Sequence, residues 1–104
     1  RNEKPGGHGD RSVAVGVQSS ASGAGSVTMG LNSTTTGTNS LAIGAGSNAN
    51  ADQAVALGAN TLIEGNRGVA VGDGSIVTAD DGTALGAGAA SIGTDSLAAG
   101  ADSI

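Results

Sequence analysis

One glycine recurs every fourteen residues: Gly16, Gly30, Gly44, Gly58, Gly72, Gly86 and Gly100 keep that spacing with no insertion. A strict period of this length marks a stack of short supersecondary units, each burying its apolar side only against its neighbours. Numbering the slots of the unit from Ser12, the repeats read SVAVGVQSSASGAG, SVTMGLNSTTTGTN, SLAIGAGSNANADQ, AVALGANTLIEGNR, GVAVGDGSIVTADD, GTALGAGAASIGTD and a shortened SLAAGADSI. Residues 12–104 therefore form an array of seven coils, the last truncated, after a leader of residues 1–11 that stands outside the register. The chain reads as a piece of a longer array.

Slots two and four are mostly β-rich and apolar, from Val13 and Val15 to Val69 and Val71. Their period of two is that of a strand with one face in a core. Between them runs the column Ala14, Thr28, Ala42, Ala56, Ala70, Ala84, Ala98. A water-facing column would carry varied polar side chains, so these seven residues are assigned to a close contact with another subunit. The slot-five glycine ends the strand at a corner. A second strand is expected over slots eight to eleven, with slot ten (Ala21, Thr35, Ala49, Ile63, Val77, Ser91) turned inward. The last slots collect turn formers. The fold class is an all-β solenoid of two strands and two turns per coil, with like residues stacked about 4.8 Å apart.

Composition decides whether one such rod stands alone. Of 104 residues, 20 are Gly and 19 Ala, and Phe, Tyr, Trp and Cys are absent. No disulfide framework or thiolate metal site can form. Ordering a coil costs on the order of 20 kcal/mol at about 1.5 per residue. Three or four inward side chains return roughly 6–8 kcal/mol, and about ten hydrogen bonds return about as much. The balance is near zero or unfavourable, so extra burial must come from elsewhere, which points to a homo-oligomer of parallel rods.

From Ser12 onward there are seven acidic residues and one basic one, Arg67. That sign, with no aromatic ring for stacking, excludes nucleic acid as a partner. No apolar run approaches the roughly 18 residues of a membrane span, so no direct membrane contact is expected of this segment.

The recurring SVAVG, SLAIG, AVALG and GVAVG, followed by small residues and a later Gly, resemble the head repeats of trimeric autotransporter adhesins, the YadA-like class of bacterial surface proteins. The resemblance covers Ser12 to Ile104. It implies a left-handed parallel β-roll, a homotrimer, and outer-membrane attachment by a separate C-terminal anchor. It also implies adhesion to host cells or matrix proteins such as collagen, fibronectin or laminin, with self-association between bacteria. Thr83, Ala99 and the non-serine starts Ala54, Gly68 and Gly82 depart from the pattern.

Site chemistry is sparse. His8 with Asp10 lies in the leader and lacks the second histidine of a dyad; serine without a base is not a nucleophile. Asp73, Asp80, Asp81, Asp95 and Asp102 scatter over different slots, unlike a period-nine calcium roll. Thr34, Thr35, Thr36 and Thr38 occupy a single coil, unlike the threonine ladders of ice-binding solenoids. No cofactor, metal or catalytic residue is assigned, and the chain is not read as an enzyme. In slots nine and eleven the early coils carry Ser20, Ser22, Thr34, Thr36, Asn48 and Asn50, and the later ones turn apolar. Leu62, Glu64, Ile76, Thr78 and Ile92, with Ile104 beyond them, are the candidate ligand contacts, the other reading being that this strand packs against a neighbouring subunit or reverses its facing locally. The competing reading is a passive spacer that projects another binding domain from a surface fibre.

Overall fold

The computed structural model describes residues 9–104, which form a parallel β-solenoid measuring 37 × 21 × 12 Å. Each coil contributes a three-residue strand from slots two to four: β1 (Val13–Val15), β3 (Val27–Met29), β5 (Leu41–Ile43), β7 (Val55–Leu57), β9 (Val69–Val71), β11 (Thr83–Leu85) and β13 (Leu97–Ala99). A two-residue strand from slots nine and ten follows in all but the last: β2 (Ser20–Ala21), β4 (Thr34–Thr35), β6 (Asn48–Ala49), β8 (Leu62–Ile63), β10 (Ile76–Val77) and β12 (Ala90–Ser91). Odd strands pair in chain order as one parallel sheet, and even strands as the other. The register is one full repeat throughout, Ala42 opposite Ala56 and Ala56 opposite Ala70. The second strand is shorter than the four slots expected, because both its neighbours are corners.

Two turns close each coil, and both have the same form. The third turn residue, slot seven or fourteen, has φ between 54° and 75°, as at Gln18, Asn32, Asn60, Arg67 and Asp81. The backbone N–H of the fourth residue donates to the carbonyl of the first, as Ser19 to Gly16 and Ser26 to Gly23. Of the two central residues only the second has positive φ, which suits a type II turn, where Gly, Asn and Asp are tolerated. The slot-five glycines have φ of 120° to 133°. A Cβ on Gly44 would lie 2.6 Å from the carbonyl of Gly58 above it. Conformation and crowding thus both demand glycine at this corner.

Hydroxyl columns reinforce the turns. In slot eight, Ser19, Ser33, Ser47, Thr61, Ser75 and Ser103 each donate to the carbonyl of the glycine three residues back, at 2.8–3.2 Å. Ser12 and Ser26 do the same at the opposite corner. These bonds place small polar groups inside without leaving them unpaired, and no buried side-chain N or O among the described residues lacks a partner. Sequence reasoning had not singled out slot eight; its Gly-x-x-Ser spacing was the available signal.

The core corrects the assignment of the two sheet faces. Ala42, Ala56, Ala70 and Ala84 are fully buried between the sheets, as is Thr28; Ala98 is 3% exposed and Ala14 half-buried. Enclosed within their own chain, Thr28, Ala42, Ala56, Ala70, Ala84 and Ala98 cannot present a contact surface to another subunit, which overturns that expectation for all but the half-buried Ala14 of the first strand. The larger residues of slots two and four point outward, whereas slot ten faces inward as expected, fully buried from Ala21 to Val77. The physical reason is thickness. In a roll this narrow the two sheets approach so closely that opposed side chains of Ala, Ser or Thr size fill the gap, with single bulkier residues such as Ile63 and Val77.

The array also begins earlier than Ser12. Gly9–Arg11 occupy the corner slots of a preceding coil: Gly25 N–H donates to Asp10 O, and Arg11 has φ of 54°. A corner without its strand carries no periodic apolar signal, so the sequence pattern alone places these residues in the leader. His8 and residues 1–7 lie outside the described residues.

Candidate adhesive and assembly surfaces

The seven-stranded sheet presents its bulky slots to the outside. Val13, Val15, Met29, Leu85 and Leu97 are exposed, and Leu41, Ile43, Val55, Leu57, Val69 and Val71 between them are half-buried. Val17 and Leu31 in slot six extend the same strip in the first two coils. This flat, uncharged, aliphatic stripe runs the length of the rod, a form of exposed surface that marks interaction sites.

The outer face of the six-stranded sheet has a different chemistry. Its first half is polar: Ser20, Thr34 and Asn48 stack in one column, Ser22, Thr36 and Asn50 in the next, and Thr36 Oγ1 donates to Asn50 Oδ1 at 3.4 Å. In the second half Leu62, Ile76 and Ala90 stack in register. Glu64 and Thr78 beside them are exposed, and Ile92 is 58% exposed. The structure thus brings Leu62, Glu64, Ile76, Thr78 and Ile92 onto one outward face; Ala90 separates Ile76 from Ile104.

A corner between the faces carries the charge. Aligned slot-thirteen side chains accept from backbone N–H groups one coil back: Thr38 to Asp52 Oδ1 at 3.0 Å, Asp52 to Asn66 Oδ1 at 3.1 Å, and Asn66 to Asp80 Oδ1 at 2.9 Å. Arg67 donates from Nε to Asp81 Oδ1 at 2.6 Å and from Nη2 to Oδ2 at 3.1 Å. This bidentate hydrogen bond holds the Asp81 carboxyl below the usual carboxylate range and raises the Arg67 guanidinium. Thr38, Asn39, Asp52, Gln53, Asn66 and Arg67 line an open groove of about 210 Å³ along this edge. Asp95 shares the corner, whereas Asp73 and Asp102 lie on the opposite one, so the aspartates singled out from the sequence do not converge. Thr35 is buried, and Thr34, Thr36 and Thr38 are divided between a sheet face and a corner.

These features define a class, a parallel β-solenoid repeat rod whose outer faces are available for contact. The family model for the YadA head domain repeat matches residues 8–34, 36–61 and 64–89. The chain belongs to the YadA head-repeat family. Among solved structures it is similar to the collagen-binding domain of the Yersinia adhesin YadA, with a TM-score of 0.89 and 34% identity. That similarity covers 99% of this chain and 54% of the other, so this chain spans about half of its length. No curated protein sequence matches it. Family and fold together make this a structural and binding domain exposed on a bacterial cell surface.

Proposed function

We propose that the chain is the head of a non-enzymatic outer-membrane adhesin that attaches bacteria to host extracellular matrix, with collagen the first ligand to examine and fibronectin and laminin next. The observation that carries this reading is the 34% identity, over nearly the whole chain, to a domain described as collagen-binding. The head works as a homotrimer in which the aliphatic stripe of slots two and four, not the alanine column, meets the neighbouring subunits. Burying that stripe adds the apolar area a single thin coil lacks. The six-stranded sheet then faces outward, and its Leu62, Glu64, Ile76, Thr78 and Ile92 are the ligand contacts. Weak contacts repeated on three subunits and many fibres yield strong attachment through effective concentration.

The test joins sedimentation with solid-phase binding to collagen, fibronectin and laminin. The expected result is a trimeric mass and saturable binding to at least one matrix protein, reduced by Leu62→Ser with Ile76→Ser while the mass is unchanged. A trimer that binds none of them is a spacer, and a monomer removes the assembly reading.

A further inference from the structure

We propose that Asn32 is an acceptor for N-linked glycosylation. Of the seven asparagines in the chain, it alone begins an Asn-x-Ser/Thr triplet, Asn32–Ser33–Thr34. Its carboxamide is exposed at a rod corner and makes no hydrogen bond among the described residues. The next coil places Gly46 in the same slot, so no side chain stands above it. A sugar here projects from the corner beside Leu31, at the margin of the aliphatic strip.

The repeat supplies an internal control. Asn60 occupies the same slot two coils on, with φ of 62° against 59° for Asn32, and is likewise exposed and followed by a hydroxyl residue, Thr61. It lacks only the second hydroxyl, because Leu62 stands where Thr34 does. Exposure and backbone are matched, and the triplet alone separates the two sites.

In the transfer, Asn32 Nδ2 bonds to the anomeric carbon of a nucleotide-activated hexose. The bond from that carbon to the diphosphate oxygen breaks, the nucleoside diphosphate leaves with the electron pair, and the amide proton passes to a base of the transferase. Transfer precedes stacking of the coils. In the rod Ser33 is fully buried, Asn32 N–H donates to Val17 O at 3.0 Å and Thr34 N–H to Ser47 O at 2.9 Å, so the triplet cannot enter another protein's cleft.

The test is peptide mass spectrometry on the full-length protein taken from its own bacterial surface. The expected result is a hexose adduct on Asn32 and none on Asn60. Asn32→Gln and Thr34→Ala remove it, Ser33→Ala retains it, and Leu62→Thr adds a second adduct at Asn60. Each replacement is a residue the array already carries in that slot, at Gln18, Ala90, Ala89 and Thr34 respectively, so the variants keep the fold. An unmodified Asn32 in the native protein, or an adduct that survives Thr34→Ala, overturns the proposal.

Discussion

Gly68 is where Ile63 needs the space: a Cβ on Gly68 would lie 2.8 Å from Cγ2 of Ile63 and 2.9 Å from Cγ1 of Val77. Slot one adjusts its volume to slot ten across the thin core. It is Ser at Ser40, flanked by Thr35 and Ala49, Ala at Ala54, beside Ile63, and Gly at Gly68, between Ile63 and Val77. The non-serine repeat starts, departures from the family pattern in sequence, are compensations in structure. Gly68→Ser should destabilise the rod by about 1–3 kcal/mol through overpacking. Ile63→Ala should cost about 2–5 kcal/mol. The double variant should lose less than the sum, as a double-mutant cycle in thermal or denaturant unfolding will show.

The corner column responds more severely. Gly44→Ala sets a side chain at φ of 126° and within 2.6 Å of the Gly58 backbone. Strain and overpacking together should cost about 3 kcal/mol or more. Hydrogen exchange should show the loss concentrated in the coils on either side of residue 44.

Coil two replaces the usual alanine contact with a polar one. Thr28 Oγ1 donates to Thr35 Oγ1 at 2.6 Å, and Thr35 Oγ1 in turn donates to Val27 O at 3.3 Å. Replacing Thr28 alone by Val should cost about 0.5–1.5 kcal/mol, because the Thr35 hydroxyl loses its 2.6 Å partner and keeps only the longer bond to Val27 O. Replacing both residues by Ala recreates the Ala42–Ala49 arrangement of coil three and should cost less than that single change; chemical unfolding of both variants decides.

The two columns of the first sheet should separate folding from assembly. Val71→Asp places a charge on the outer stripe and should lower the sedimenting mass while the β-rich circular dichroism spectrum persists. Ala70→Val, one residue away but fully buried, should lower the unfolding midpoint by an amount typical of overpacking, about 1–3 kcal/mol. The reverse pattern would restore the alanine column as the contact surface.

Asp81 titrates low because Arg67 bonds its charged form. A depressed carboxylate contributes stability that is present above its unfolded value and lost as pH falls through the lowered folded one. Both groups are solvent-exposed, so the effect on unfolding should be small and vanish at high salt. Arg67→Ala should move the Asp81 carboxyl resonance, followed by NMR, up toward the ordinary carboxylate range.

The glycine period, the strand in slots two to four and the inward turn of slot ten were all legible in the one-dimensional pattern. Stacking at constant register repeats every requirement of a corner or a strand at the same interval. Slots nine and eleven could likewise be assigned to a single outward face, because alternation tells which residues travel together. Alternation is silent on which of two faces is inside. That choice came from the separation of the sheets, which admits Ala42 and Ala56 and turns Ile43 and Leu57 to the outer face. The pairing of Gly68 with Ile63 and the hydroxyl bond from Thr28 to Thr35 belong to the same level, since each joins slots that meet only after the chain has turned a corner.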